Sequence, residues 1–217
     1  MAPANVLCWT DKEPTDEWRP SDGNFYWRPK GHRYPNTRQL RPGDIILFRP
    51  LKPTVSQYLI RRFQKGVQFT HAALYLSNDS IICEAIPGRG VTFSDLEGKL
   101  KKSCLFVRRV PGIHDRDRER MAKAAADLRG DRYAFEDVFR KALEPLLKKS
   151  PSASMAARKG VICSTLCEHA ILMRSKGTVQ IRKFRDQVIS PADLLASEAL
   201  VDVSIGWCRV TRQPVGL

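Results

Sequence analysis

No stretch of this 217-residue chain approaches the roughly 20 consecutive apolar residues that a helix needs to cross a bilayer, so nothing in it reads as a membrane span. The first residues, from Met1 to Cys8, have neither a basic start nor an apolar run and do not read as a secretory signal. That predicts a protein that stays in the cytoplasm or leaves by a signal-independent route, as an injected toxin or a phage product would. Internal repeats are missing. So is Cys-x-x-Cys spacing: the six cysteines stand at Cys8, Cys83, Cys104, Cys163, Cys167 and Cys208. Cys163 and Cys167 are one helical turn apart with His169 after them, but no second ligand pair completes a zinc pattern. No metal and no cofactor are expected. Six cysteines in a chain of this length are not a dense disulfide scaffold, and they are read as reduced, with Cys83 and Cys104 as small buried hydrophobes.

What is present begins with charge. The formal net charge is +14, which favours anionic surroundings such as membrane head groups, anionic wall polymers or nucleic acid. The charge is dispersed, however. Lys101-Lys102, Arg108-Arg109, Lys148-Lys149 and Arg182-Lys183 are short pairs with acids between them, as on an ordinary solvated basic surface. There is no Arg/aromatic repeat, zinc finger or RNP-like stretch, so no nucleic-acid partner is expected, and a non-catalytic basic nucleic-acid-binding module is the weakest functional reading. With 42% hydrophobic residues the chain can bury a core, and its length predicts one domain with an appended arm: an arm over residues 1–38 packed on a body over 39–217.

The arm is rich in Pro, Trp and charge, and Trp9, Trp18, Tyr26 and Trp27 are expected to pin it down. The turn Arg41-Pro42-Gly43-Asp44 leads into a buried strand at Ile45-Ile46-Leu47-Phe48, with Asp44 closing the turn. A helix is predicted over 55–64. Strands follow over 71–77 and 80–86, joined by the hairpin chemistry of Ser77-Asn78-Asp79-Ser80. Gly90 to Phe93 reads as another strand, and Ser94 as the cap of a short helix with Glu97 at capping-box spacing. Cys104 to Val110 is a further strand. The second half is more helical. Helices are predicted over 115–128 (with Met121, Ala124, Ala125 and Leu128 on one side), 135–147 and 163–173, and another opens at Ser190-Pro191. The Ser/Ala-rich run 149–159 reads as a mobile loop, and 201–210 as a last strand. A strand-rich half followed by a helical half predicts an α+β fold.

Two distant segments carry the chemistry. In Gly160-Val161-Ile162-Cys163-Ser164-Thr165-Leu166, a cysteine opens a helix, where amides and the macrodipole favour a thiolate and could hold an oxyanion. A buried structural cysteine is the plainer alternative. In Thr70-His71-Ala72-Ala73-Leu74-Tyr75-Leu76, a histidine opens a strand. If Asn78 and Asp79 are the central hairpin residues, Ser77 faces Ser80 and His71 faces Ile86. Glu84 then shares the face of His71 as its diagonal neighbour. An acid within Ile81-Ile82-Cys83-Glu84-Ala85-Ile86 should be unfavourable without a partner, and a His/Glu pair supplies one. Thiol, imidazole and carboxylate are the parts of a cysteine nucleophile site. Cys167 shares a helix face with Cys163 and is the alternative nucleophile; His169 falls on the opposite side and is a poor base.

The strand segment from Pro42 to Phe48 and the segment from Thr70 to Leu76 resemble the strand core of NlpC-type papain-like cell-wall peptidases. In those enzymes the cysteine helix precedes the strands. Here it follows them, which is similar to the circularly permuted, YaeF/YiiX-like branch of papain-like amidases. Gly130-Asp131-Arg132-Tyr133-Ala134-Phe135-Glu136-Asp137 also resembles the stretch before the cysteine in that group. The resemblance covers roughly residues 40–175. It implies a permuted papain-like catalytic domain, an antiparallel sheet packed on helices. Cys163 would be the nucleophile, His71 the general base, Glu84 the orienting acid, and Tyr133 a residue that lines the substrate site or aids the oxyanion. The implied reaction is cleavage of an amide in a peptidoglycan-type peptide. The alternative is lipid-directed thioester chemistry of the lecithin:retinol acyltransferase type, as an acyltransferase or phospholipase.

Overall fold

In the computed structural model, residues 6–8, 25–27, 33–50, 69–77, 79–100, 102–133, 162–175, 181 and 189–209 are described. The helices expected over 55–64 and 135–147 and the loop expected over 149–159 lie outside the described residues, as do the side chains of the arm's aromatics. The strands are β1 (Val6–Cys8), β2 (Phe25–Trp27), β3 (Arg33–Pro35), β4 (Ile45–Pro50), β5 (His71–Ser77), β6 (Ile81–Ile86), β7 (Gly90–Asp95), β8 (Ser103–Arg109), β9 (Val201–Val203) and β10 (Trp207–Arg209). The helices are α1 (Leu96–Leu100), α2 (Asp115–Ala126), α3 (Cys163–Ser175) and α4 (Pro191–Ala196). The architecture is α+β, with the strands largely ahead of the helices.

One eight-stranded sheet runs in the order β2-β1-β8-β4-β5-β6-β7, with β9 alongside β8, while β3 and β10 pair separately. Only β1 and β2 are parallel; the other pairs are antiparallel. β4 lies between β8 and β5 and is buried along its whole length, which explains its unbroken apolar run in place of alternation. Both faces of the sheet are covered. Ile45, Leu47, Ala72, Leu74, Cys83 and Phe106 form one core with Met121 of α2, Leu166 and Ala170 of α3 and Leu194 of α4. Ile46, Phe48, Ala73, Tyr75, Ile82 and Leu105 form the other with Leu96 and Leu100 of α1.

Polar groups fix the ends of these elements. The fully buried Asp44 carboxylate accepts two hydrogen bonds of 2.6 Å from Arg109 and one of 2.9 Å from the Arg41 amide, tying the turn before β4 to β8. Arg108 closes β9 onto β8 by donating to Asp202 and to the carbonyls of Ser197 and Leu200. Ser190 caps α4 in a reciprocal capping box with Asp193, and Pro191 takes the first helical position.

Four expectations need correction. Ser94 does not cap α1; it is a β7 residue paired with Ile82, and the Asp95 carboxylate accepts the amides of Glu97 and Gly98 at 3.2 and 2.7 Å. The strand simply runs further than its apolar pattern. The cysteines are not all reduced: Cys104 is disulfide-bonded, while Cys83, Cys163 and Cys167 are free. The register of β1 against β8 sets Cys8 opposite Cys104, an adjacency invisible while the arm showed no periodicity. In α2, Ala122 is buried rather than Ala124, and the helix ends at Ala126 before Leu128. The strand expected over 201–210 is two short strands, β9 and β10.

A backbone contact at the end of β7 matters for the site. The Val91 amide donates to the Asp131 carbonyl at 2.9 Å and the Gly130 amide to the Val91 carbonyl at 3.0 Å, so the segment 130–131 lies along β7. Gly90 sits there with φ +72, and a Cβ on it would come within 2.1 Å of the Asp131 carbonyl oxygen. Only glycine fits. Gly90→Ala is therefore expected to destabilise the fold by about 2 kcal/mol or more, through a steric clash and an unfavourable φ together. A urea midpoint equal to that of the wild type would contradict this placement.

Candidate active site

The site is assembled at the start of β5. Strand alternation puts His71 on the face of Ala73 and Tyr75, beside Phe48, its β4 partner, with ring centroids 6.0 Å apart. In the β5/β6 hairpin Leu74 lies opposite Cys83 and Tyr75 opposite Ile82, the register that carries His71 to a position facing Ile86. Nearer the turn the register shifts by one, so that Ser77 faces Ile81 rather than Ser80, and Ser80 takes a positive φ of 59. The shift lies beyond the site. Glu84 remains the diagonal neighbour of His71, and the two side chains meet: Nε2 of His71 is 2.5 Å from Oε2 of Glu84.

Glu84 is wholly buried. Its second partner is Lys99 of α1, whose Nζ lies 2.8 Å from Oε2 and 2.7 Å from Oε1; only the Oε2 contact has hydrogen-bond geometry. Burial alone would push the Glu84 carboxyl up. Hydrogen bonding and charge attraction from His71, then from Lys99, outweigh it and hold the group at about 2, against an ordinary 4.5. Glu84 is therefore an anion throughout the neutral range.

Cys163 is the first residue of α3 and is nearly buried. The Leu166 amide donates to the Ile162 carbonyl at 2.9 Å, which makes Ile162 the N-cap. Isoleucine offers no side-chain acceptor for the amides of the first turn. Thr165 takes the Ile162 amide at 3.0 Å, and Ser164 clips the helix start to the Ile189 carbonyl at 2.7 Å. The Ser164 amide is left to donate to the Cys163 sulfur, together with the Ala72 amide from β5.

The His71 ring also hydrogen-bonds Cys163. With Nε2 committed to Glu84, the ring nitrogen left for sulfur is Nδ1. The two groups shift each other. Burial pulls the imidazole down, but attraction to the Cys163 thiolate and the hydrogen bonds to Cys163 and Glu84 raise it from 6.5 to about 9. Burial pushes the Cys163 thiol up, and the imidazolium charge, its hydrogen bond and the two backbone amides bring it below its ordinary value. Each group thus favours the charged form of the other. The other described free thiols behave in the opposite way: burial pushes Cys83 up to about 12 and Cys167 far up. Cys167 has no imidazole, so the alternative nucleophile loses its footing.

Tyr133 is half-buried against the core cluster that contains Cys163. Burial and then the negative charge on Cys163 raise its phenol, which stays a neutral O–H donor. The site thus brings together Cys163, His71, Glu84 and Tyr133 from four stretches of chain. Three participants escaped the sequence reading. Ile162 with Thr165 could have been noticed as a cap lacking its usual acceptor. Lys99 carries no local signal, because only the fold of α1 over the sheet brings it to Glu84.

No protein-family model matches the sequence. No curated protein matches it either. The crystal structure of metalloprotein yiiX from Escherichia coli O157:H7 (DUF1105) aligns with 78% of this chain and 99% of its own, at 18% identity and a TM-score of 0.44. Among the described residues, no group of three or more His, Cys, Asp or Glu side chains is placed to hold a metal ion, and no helix is long and apolar enough to cross a membrane.

Proposed function

We propose that this protein is a cysteine hydrolase of the permuted papain-like kind, cleaving an amide bond through Cys163, His71 and Glu84. One observation carries the reading: an imidazole clamped at 2.5 Å by a wholly buried carboxylate hydrogen-bonds, on its other side, a thiol at the first residue of a helix. Buried carboxylates and buried thiols are each common; this chain of three, with the Cys163 thiol's pKa lowered while those of Cys83 and Cys167 are raised, is the arrangement a nucleophile needs.

The thiolate of Cys163 attacks the carbonyl carbon, and the oxygen takes the negative charge beside the amides of the α3 first turn, with the Tyr133 hydroxyl as a further donor. Imidazolium at His71 gives its Nδ1 proton to the leaving amine as the C–N bond breaks, leaving a thioester. The now neutral His71 takes a proton from water, whose oxygen attacks the thioester, and collapse releases the acid and restores the thiolate. Glu84 keeps the ring oriented and its Nε2 proton in place throughout.

The substrate class follows from surface chemistry. The chain carries +14 in formal charge, and Arg89 and Arg132 are exposed on either side of the β7 contact. Among the described residues the exposed large hydrophobics are Met173 and Val201, whereas a lipid substrate calls for a larger contiguous apolar patch. A peptidoglycan-type peptide is therefore favoured over a lipid ester. The test is to incubate wild type and Cys163→Ala with purified peptidoglycan and, separately, with phospholipid vesicles. New muropeptides that depend on Cys163 support the reading; Cys163-dependent fatty-acid release without muropeptides reverses it in favour of lipid acyl chemistry.

A further inference from the structure

We propose that Lys99 is a positioning residue of this site: its ammonium balances the Glu84 carboxylate, so that the shared proton stays on His71 and the Cys163 beside it stays a thiolate. The inference rests on the nucleophile reading above and adds a fourth member to it.

The geometry comes first. Glu84 has no solvent to support its charge, and both of its oxygens lie within 2.8 Å of the Lys99 ammonium, one of them shared with His71 at 2.5 Å. Lys99 itself is about one-third exposed, at 32%, so its own charge stays partly hydrated. Charge counting supplies the argument. Cys163 thiolate, His71 imidazolium, Glu84 carboxylate and Lys99 ammonium sum to zero. Without Lys99 the remaining three carry one net negative charge in a buried setting, where an unbalanced charge is costly and proton uptake relieves it. A proton taken up by Cys163 makes the nucleophile a thiol. Where His71 instead passes its own proton to Glu84, a neutral acid is left against a neutral imidazole, and Cys163 loses the cation that lowers its pKa. Either way the reactive form retreats to higher pH.

Among the described residues, the ionisable groups facing the pair are few. From β5 comes His71, from β6 Cys83, from α1 Lys99, from α3 Cys163 with Cys167 behind it, and from the segment after α2, Tyr133. Cys83, Cys167 and Tyr133 are all pushed upward and stay neutral across the working range, so Lys99 is the cation beyond His71 that balances Glu84. α1 is anchored for this by Leu96 and Leu100 in the core and by the Asp95 cap, which places the exposed turn of the helix over Glu84.

The test is the pH profile of Cys163 alkylation by iodoacetamide, read by mass spectrometry on the full chain, which needs no substrate. Lys99→Met keeps the aliphatic stem and removes the charge. Its acid limb is expected to move upward by about one pH unit, a roughly tenfold slower alkylation on that limb. Lys99→Arg should keep the wild-type limb. In a Glu84→Gln background Lys99→Met should add little, because it acts through the carboxylate. Lys99→Gln serves the same purpose if the methionine variant does not fold. Superimposable limbs for wild type and Lys99→Met overturn the inference, as does equal displacement by arginine and methionine, or a displacement that persists in full without Glu84. A wild-type limb at the position of an ordinary thiol sinks the nucleophile reading itself and Lys99 with it. A low wild-type limb that Lys99→Met leaves in place sinks only the role of Lys99.

Discussion

Cys163→Ala is expected to lower turnover of a susceptible amide by roughly 10⁴-fold or more, while the protein stays folded. The size of the loss follows from the lack of a substitute. Among the described free cysteines, Cys83 is pushed up to about 12 and Cys167 well above the ordinary thiol value, so neither supplies a thiolate near neutrality. His71, left with its clamp to Glu84, could at most act as a base toward water. The fold should survive because the change removes one sulfur atom from a site at the edge of the core, a cavity costing about 1 kcal/mol. The measurement is muropeptide release by wild type and variant, with a thermal melt of each. Turnover within tenfold of wild type would contradict the nucleophile assignment.

His71→Gln carries the second-largest expected effect, a loss of roughly 10³-fold together with a change in the thiol itself. The sign is set by what opposes what. Burial raises the Cys163 thiol, and the imidazolium is the largest influence bringing it down. Glutamine preserves a hydrogen-bonding amide but not the positive charge, so burial wins and the acid limb of Cys163 alkylation moves up to or beyond the ordinary thiol value of 9. Glu84→Gln should produce the same change in smaller measure, since His71 retains its proton less well without the carboxylate. A His71→Gln limb coincident with wild type would mean that something other than His71 activates the thiol.

The sequence made some of this legible because certain signals are local. An apolar run after a Pro-Gly-Asp turn marked β4, and two apolar runs around Ser77-Asn78-Asp79-Ser80 marked the hairpin. Its period of two then placed Glu84 on the face of His71 without any knowledge of the rest of the fold. The Ser190-Pro191 helix start was equally local. What the sequence withheld depends on pairing between distant segments. β8 inserts beside β4 across some fifty residues, and β1 joins its far side from an arm that showed no periodicity. The Cys104 disulfide therefore could not be foreseen. Lys99 is one of 37 basic residues, and nothing within its own segment distinguishes it. The buried acid at Glu84 implied some cation nearby; the fold of α1 over the sheet decided which one. The displaced cap at Asp95 has a smaller cause: β7 continues two residues past its last apolar side chain because Ser94 and Asp95 still pair with β6.

The central claim is that Cys163, and no other cysteine, rests as a thiolate against an imidazolium. It is tested most directly by substoichiometric iodoacetamide labelling of the folded protein at about pH 6, where an ordinary thiol is almost wholly protonated, with the modified residue located by mass spectrometry. The thiolate pair predicts that Cys163 is alkylated well ahead of every other cysteine, and that the preference vanishes in His71→Gln. Preferential labelling of Cys167 or Cys83, or uniform labelling of all free thiols, would contradict it.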